Sequence, residues 1–426
     1  MKSNYKRIGD CIQLVDERNI NLDVKTLLGL SISKEYIPSV ANIIGTDMSN
    51  YRIIRKNQFA CSTMQVRRDR KMPIALLEKY DEAIISAAYP VFQVADIEVV
   101  LPEYLMMWFR RSEFDREACF YAIGGVRGSI EWEDFCNMQL PVPSIAKQKE
   151  IVKEYNVLVD RIKLNKQLIQ KLEETAQAIY KQWFIDFEFP DENGKPYKSN
   201  GGKMLFNEEL EKEIPAEWEG KILGYYVSET KGGDWGSNKL DANNNSQVFC
   251  IRGADIPNLR RGNLGEMPTR YILENNLNMK ELRENQIVIE ISGGSPTQST
   301  GRTVHISKTL LNSLNYPVIC SNFCQVLTIR EAVYSNFLFS HINYLYKADI
   351  LYNYENSTIG LKNLDLSGVL AEEITTKPPN KVLEKYNSIY LKLSNSIISY
   401  GREVQLLTKY HDLLLANLMF SKTIEN

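Results

Sequence analysis

The sequence predicts an α+β protein in which two α/β domains are each followed by a long α-helix, the two helices pairing as an antiparallel coiled coil with pseudo-twofold symmetry. Three observations predict this fold class. They are a long amphipathic run after Ser144, a second one after Pro379, and an internal repeat relating the two halves of the chain. With 426 residues, the chain is long enough to bury two cores in addition to the helices.

Residues 1–143 are expected to form the first domain. Short apolar runs at 83–88 and 91–94 predict strands, and Pro102 begins a predicted helix that extends to about Cys119. A glycine-rich loop follows at 124–128. This mixture is typical of a compact α/β or α+β domain.

Residues 144–189 are expected to form the first long helix. Pro141 and Pro143 end the preceding segment, Ser144 is a good N-cap, and no Gly or Pro follows until Pro190. Apolar or small residues recur in alternating steps of three and four, which indicates a heptad seam. The predicted seam contains Ile151, Tyr155, Leu158, Ile162, Asn165, Ile169, Leu172, Ala176, Ile179 and Trp183.

Asn165 is polar, and two interpretations of its place on the seam remain open. A buried Asn commonly fixes the register of a coiled coil at some cost in stability. Alternatively, the side chain faces water where the helices separate.

Residues 190–217 are acidic and poor in apolar side chains, which predicts a linker with a short helix at most. Between 186 and 219 there are ten acids and four bases. Residues 218–377 are expected to form the second domain, with strands near 248–252, 286–291 and 325–329 and a helix near 335–346. Residues 378–426 then form the second long helix. Its predicted seam, with one change of phase, contains Val382, Tyr386, Ile389, Leu393, Ile397, Tyr400, Val404, Leu407, His411, Leu414 and Leu418.

The two halves repeat at a nearly constant separation. Gly128 corresponds to Gly360, 232 residues later, and Tyr155-Asn156 corresponds to Tyr386-Asn387, 231 residues later. Further pairs in the same order are Asn57-Gln58 with Asn285-Gln286, and 85–89 with 319–323. An ordered series of this kind predicts two copies of one domain-and-helix unit. The two helices are expected to pair, because each has a long apolar stripe and no other helix of matching length.

Composition excludes several classes of protein. The sequence has no apolar run of eighteen residues and no apolar segment behind its charged N-terminus, so we expect neither a membrane protein nor a secreted one. Seven scattered cysteines, an odd count, favour reduced thiols and a cytoplasmic location. With only three histidines and no suitable spacing, the sequence offers no ligand set for zinc.

Basic charge is local, because the net charge of the whole chain is only -2. Two similar domains on a stiff spacer suit the recognition of two marks at a fixed distance, and duplex DNA presents such marks. Each basic residue that is a candidate for contact with DNA could instead be an ordinary solvated charge on the surface. Arg127 and Arg302 are stronger candidates, because each lies beside a glycine that permits close approach of a ligand. The candidates are Arg67, Arg68, Arg70, Lys71, Arg127, Arg260, Arg261, Arg270 and Arg302.

Several strings of residues, in this order along the whole chain, resemble those of the specificity subunits of type I restriction-modification systems. The strings are 140–143 (LPVP) with 148–152 (QKEIV), 172–174 (LEE), 183–187 (WFIDF), 213–215 (EIP) with 218–219 (WE), 291–296 (ISGGSP) and 407–410 (LTKY). The N-terminus departs from the pattern, since the second domain opens with Trp218 and the first has no equivalent tryptophan.

The resemblance implies a non-catalytic subunit whose two target-recognition domains bind the two parts of a split double-stranded DNA site. It implies that the helices dock two methyltransferase subunits and that separate restriction subunits join the complex. S-adenosylmethionine, ATP and Mg²⁺ would then be bound by those partners and not by this chain. The residues implied for the helix seam and subunit docking are Ile162, Asn165, Leu172, Ile179, Trp183, Leu407 and Leu414.

Two other functions were considered. A coiled-coil scaffold whose two domains bind proteins would suit the near-neutral charge and the acidic linker. A metal-dependent nuclease is suggested by Pro190-Asp191 followed by Glu219-Gly220-Lys221, but this Asp lies in a polar segment and not at the end of an apolar strand. The aromatic run Trp183, Phe184, Phe187 and Phe189 is interpreted either as a plug against a domain or as part of a docking face.

Overall fold

The computed structural model describes residues 4–39, 46–124, 128–293, 298–358 and 361–421, with the backbone alone described at 357, 358, 361 and 416–421. The chain divides into two compact units. One consists of Met1–Arg161 with Leu407–Asn426, and the other of Ile162–Leu406. Each unit therefore combines a globular head with segments of both long helices.

A four-stranded antiparallel sheet forms the centre of the first head. Aromatic and β-branched residues favour these strands, and Phe59–Cys61 is buried on both faces. The order across the sheet is Ile12–Val15, Val91–Val94, Phe59–Cys61 and Ile74–Leu76. Smaller antiparallel pairs are Tyr5–Arg7 with Gln139–Pro141, Leu28–Leu30 with Tyr36–Pro38, and Arg52–Arg55 with Glu82–Ile85.

The single helix predicted from Pro102 to about Cys119 is instead two helices, Pro102–Phe109 and Ser112–Tyr121. The break occurs because Arg111 has an extended backbone, with φ of −72° and ψ of 142°. The rings of Phe59, Phe92, Phe109, Phe114 and Phe135 fill the core between the helices and the sheet, with centroids 5.1–6.4 Å apart in the contacting pairs. Two further helices are Val66–Asp69 and Trp132–Asn137.

The second head is built on a sheet of the same order. Its four antiparallel strands are Val227–Gly232, Cys324–Ile329, Ile287–Glu290 and Thr303–His305. As in the first head, the first and last strands of the domain pair with each other, here Glu219–Ile222 with Ile374–Lys377. The shared topology confirms the internal repeat predicted from the sequence.

The second head also has elements beyond this sheet. A three-stranded sheet contains Thr269–Ile272, Ser246–Ile251 and Val318–Cys320, and another contains Ser292–Gly293, Leu361–Leu364 and Glu355–Thr358. The predicted strands near 248–252, 286–291 and 325–329 are confirmed, as is the helix, which is Ser335–Lys347. The other helices are Ile256–Arg260, Glu274–Lys280, Lys308–Leu311 and Leu366–Glu372.

The first long helix is Ile145–Tyr180, and a π-helical turn, Lys181–Ile185, continues it. The Oγ atom of Ser144 accepts a hydrogen bond from the backbone N–H of Lys147, as expected of an N-cap. The helix ends before the predicted Pro190, because Phe187 adopts a left-handed conformation with φ of 61°. The π-helical turn lets both Trp183 and Phe184 be buried.

The second long helix is Asn380–Ser421. Gly401 lies within it and is buried, because a turn of the second head rests on it. A Cβ atom on Gly401 would lie 1.5 Å from the carbonyl oxygen of Arg261, and one on Gly262 would lie 2.3 Å from the carbonyl oxygen of Ile398. Backbone therefore packs against backbone at this point, which only glycine permits.

The segment 190–217 is not the predicted linker. It contains an antiparallel hairpin, Met204–Asn207 with Lys212–Pro215. Phe189 stacks between Tyr197 and Trp218, with centroids 4.7 and 4.9 Å away. The few aromatic residues at its margins thus supply the packing that its acidic composition did not suggest, and the aromatic run is interpreted as a plug against the second head.

Candidate nucleic-acid interface

The basic residues of the first head cluster on one short helix and the loop that follows it. Arg67, Arg68, Arg70 and Lys71 are all exposed, while Val66 is fully buried. Gln65 and Arg70 are left-handed, with φ of 64° and 52°, so the chain reverses on both sides of Val66–Asp69. The arrangement anchors the apolar residue and leaves the four cations on the surface.

Two of these cations are engaged locally. The guanidinium of Arg68 bonds to Asp69, with Nε 2.7 Å from Oδ1, and this contact lowers the pKa of the Asp69 carboxyl. Arg67 donates from Nη1 to the carbonyl oxygen of Gly124 at 3.3 Å. Among the residues that the structure describes, Arg70 and Lys71 make no ion pair, so their charge is available to an anionic partner such as a phosphate.

Exposed apolar side chains border this basic cluster, and the sequence analysis did not identify them. Phe120 is 80% exposed and Ile123 is 70% exposed. Phe120 lies at the end of the helix Ser112–Tyr121 and Ile123 just after it, and the bond from Arg67 to Gly124 connects this part of the chain to the basic helix. Arg127, predicted to contact DNA, lies outside the described residues.

In the second head, Arg260 and Arg261 make contacts within the chain, and their interaction with DNA stays a prediction. Arg260 donates from Nη1 to Oδ1 of Asn343 at 2.6 Å and lies over the ring of Phe339, and burial lowers its pKa. Arg261 pairs with Glu173 on the first long helix at 3.0 Å. Both guanidinium groups are therefore occupied within the chain.

Arg302 is likewise a structural residue. Its Nε and Nη2 atoms lie 2.7 and 2.5 Å from the two carboxylate oxygens of Glu290, which is 3% exposed. The hydrogen bond with Glu290 raises the pKa of Arg302. Such a paired geometry satisfies the buried carboxylate, and contact of Arg302 with DNA stays a prediction.

Arg270 differs from these three residues. It is 9% exposed, its guanidinium lies 3.8 Å from the centroid of the Trp235 ring, and its buried Nε atom has no hydrogen-bond partner within the described residues. It lies on the strand Thr269–Ile272, beside Ser246–Ile251. Trp235, which is 36% exposed, was not identified from the sequence.

The comparisons with known proteins can be set against this geometry. No family model matches the chain. The MjaIX type I restriction enzyme specificity subunit of Methanocaldococcus jannaschii is 26% identical over 333 residues, which cover 76% of this chain and 69% of that one. The HindI type I specificity subunit of Haemophilus influenzae is 30% identical over 110 residues, covering 25% of this chain and 24% of that one.

The fold has a counterpart among solved structures. The type I restriction-modification S subunit from M. genitalium matches 98% of this chain and 96% of its own, with a TM-score of 0.56 and 14% identity. The chain is a relative of type I specificity subunits. These names agree with the resemblance stated from the sequence, which is to non-catalytic specificity subunits.

In this specificity-subunit relative, the predicted seam residues differ in burial. Asn165 is fully buried, which rules out the water-facing alternative, and both atoms of its amide lack a partner within the described residues. At the end of the first helix, Tyr180 and not Ile179 is the fully buried position, because the π-helical turn changes the phase. Trp183 is buried, whereas Ile162, Leu172, Ile179, Leu407 and Leu414 are half-buried.

Each unit brings segments of the two long helices together. In the first unit, the Tyr155 hydroxyl lies 2.9 Å from Nε2 of His411 and 3.0 Å from Nη1 of Arg110. In the second unit, Phe184 packs on Tyr386 with centroids 4.9 Å apart. His411 therefore has a structural partner.

Within the described residues, no group of three or more His, Cys, Asp or Glu side chains is arranged to hold a metal ion. None of the described helices is both long enough and apolar enough to cross a membrane.

Proposed function

We propose that this chain is the DNA-recognition subunit of a type I restriction-modification complex, in which each head binds one half of a two-part site in double-stranded DNA. The observation that carries the proposal is the repeated head, since two copies of one topology with different surface side chains can recognise two different sequences. The specificity-subunit names of the relatives support it.

The surface chemistry of the heads supports contact with nucleic acid. The first head presents four exposed cations on one helix and loop, beside the exposed Phe120 and Ile123. Cations of this kind contact phosphates, and apolar side chains contact bases in a groove. The total charge of the chain does not reveal this, because acidic residues at 186–219 offset the cluster.

We further propose that the two long helices pair as an antiparallel coiled coil that sets the distance between the heads. In one unit the ring of Tyr155 contacts the ring of His411, and in the other unit the ring of Tyr180 contacts the ring of Tyr386. From the first of these contacts to the second, residue numbers rise by 25 on the first helix, from 155 to 180, and fall by 25 on the second helix, from 411 to 386. This is the register of an antiparallel pair.

The partners follow from the family. Two methyltransferase subunits would dock on the helices, and restriction subunits would join them. S-adenosylmethionine, ATP and Mg²⁺ would be bound by those subunits in the cytoplasm. Within this chain the helices would supply the docking face, with the heads left free for DNA.

The test is to express the chain with the methyltransferase subunits of its host and to sequence methylated bases. We expect methylated adenines in a two-part motif. Exchange of one head for that of a relative should change one half of the motif only. If both halves changed together, the heads would not act as separate recognition units.

The basic cluster offers a second measurement. Arg70→Gln with Lys71→Gln should weaken binding of the complex to all duplexes alike. It should also lower the slope of log affinity against log salt by about 2, since about 0.9 is lost for each phosphate contact. Lys56→Gln, on an exposed turn of the same head, is the control. An unchanged slope in the double variant would show that the cluster does not contact phosphates, and would favour a head that binds protein.

A further inference from the structure

The segment that carries Trp235 is held rigidly against two sheet strands. The backbone N–H of Asp234 donates to the carbonyl oxygen of Cys320 at 2.8 Å, and Ser237 and Tyr271 exchange backbone hydrogen bonds of 2.8 and 3.0 Å. An Asp234 carboxylate oxygen accepts from the backbone N–H of Gly236 at 2.9 Å. The segment is thus anchored on both sides of Trp235.

Two glycines allow this close approach. A Cβ atom on Gly233 would lie 2.1 Å from the carbonyl oxygen of Ser321, and Gly236, with φ of 62°, would place one 2.8 Å from the carbonyl oxygen of Tyr271. Ordinary side chains at either position would lift the segment away. The sequence therefore fixes Trp235 where it covers Arg270 on the neighbouring strand.

The Arg270 side chain is 9% exposed, and in the part of the chain that the structure describes its guanidinium lacks the acceptors that largely buried guanidinium groups normally have. In the same unit, Arg252 bonds to Asp255, Arg260 to Asn343 and Arg302 to Glu290. Within the described residues Arg270 has neither a hydrogen-bond acceptor nor an ion pair, and its Nε is inaccessible to water. A buried N–H donor without an acceptor is costly in the free protein, so the arrangement fits a ligand that supplies acceptors.

We propose that Arg270, stacked on Trp235, is a specificity-determining residue of the second head, donating hydrogen bonds to the acceptor edge of a guanine in its half of the DNA site. This inference rests on the proposed function. The planar fork of arginine matches the O6 and N7 acceptors of guanine in the major groove. A guanidinium held by stacking loses little freedom on binding, which suits discrimination between bases better than a mobile surface cation does.

The experiment uses the full chain expressed with the methyltransferase subunits of its host. The wild-type complex first defines the target by sequencing of methylated bases. Competition binding then compares the target duplex with duplexes that each carry one substituted base pair. The variants are Arg270→Met, which keeps the stack and removes the charge, and Arg270→Lys, which keeps the charge and removes the fork. The matched control is Arg330→Met, since Arg330 also lies over an aromatic ring, that of Tyr225, but donates to the Tyr225 carbonyl oxygen.

We expect Arg270→Met to lose about tenfold to a hundredfold discrimination at one guanine of one half-site, with the other half unchanged. Arg270→Lys should lose discrimination at the same position, and Arg330→Met should match the wild type. Because the buried Nε donor has no acceptor among the described residues of the free protein, thermal unfolding of Arg270→Met should occur at or above the wild-type temperature.

Three results would overturn the inference. Unchanged discrimination at every position, in both Arg270 variants, would show that the residue has a structural role only. An equal loss of affinity for all duplexes, with a shallower salt dependence, would show that it contacts a phosphate and not a base. If the wild-type complex methylated no two-part motif, the proposed function itself would be wrong and this assignment with it.

Discussion

The contact between Gly401 and the turn of the second head predicts that Gly401→Ala destabilises the protein, although helix propensity alone predicts that it stabilises. Gly401 lies inside the long helix Asn380–Ser421, where alanine in place of glycine normally stabilises by about 1 kcal/mol. In this structure the added Cβ would lie 1.5 Å from the carbonyl oxygen of Arg261, whereas such atoms approach no closer than about 3.0 Å. The turn would have to move by at least 3.0 − 1.5, or about 1.5 Å.

A movement of this size has identifiable consequences. It lengthens the 3.0 Å ion pair of Arg261 with Glu173 and opens the backbone contact between Gly262 and Ile398. Overpacking of this kind typically costs 1–3 kcal/mol. Since backbone and not a flexible side chain must move, we expect the upper part of that range, and Gly401→Ala should lose about 2 kcal/mol net of the propensity gain.

The assay is urea unfolding followed by circular dichroism and tryptophan fluorescence. Ser399→Ala is the control, because Ser399 is exposed two residues away on the same helix and should gain a few tenths of a kcal/mol. Gly262→Ala should also destabilise, and the double variant should lose less than the sum of the single losses, since one displacement of the turn relieves both clashes. A gain of about 1 kcal/mol in Gly401→Ala would refute the reasoning.

Two other predictions concern buried polar groups. Lys34 pairs with Asp115 at 2.8 Å, and burial, outweighing this attraction, lowers the pKa of Lys34 from 10.5 to about 8. Between pH 8 and pH 10.5 the Lys34 side chain is protonated in the unfolded chain but not in the folded one. Raising the pH over this range should therefore increase the unfolding free energy of the wild type relative to Lys34→Met, by up to about 3 kcal/mol. Parallel pH profiles of the two proteins, measured by urea titration, would contradict this. Asn165→Leu should raise the unfolding free energy by about 1–3 kcal/mol because both amide atoms are buried without partners, and a loss of stability would mean that the amide is satisfied by bound water.

The fold could be predicted from the sequence where the signal is local and repeated. The strands near 286–291 and 325–329 are short apolar runs, and the strand pairing they enter is the same in both heads. The folded segment at 190–217 could not be predicted, because its hairpin depends on Phe189 stacking with Trp218, which is 29 residues away. Composition describes a segment by its own residues and misses packing supplied from outside it.

The candidate interface was predicted only in part, for a similar reason. Arg70 and Arg260 are alike in the sequence, each next to another basic residue, yet one is exposed and the other is half-buried against Phe339 and Asn343. Whether a cation meets solvent depends on acceptors brought from distant parts of the chain. Exposed residues such as Phe120 and Trp235 were missed because an aromatic side chain is more often part of a core.

By itself, the sequence determined the repeat, the two long helices and the family, because apolar periodicity and ordered strings are properties of neighbouring residues. Only the tertiary structure decided which cations remain exposed, which seam positions are buried and where glycine is required. The physical reason is that burial, ion pairing and steric contact join residues far apart in the chain, as Gly401 and Arg261 do, and no local pattern records such a contact.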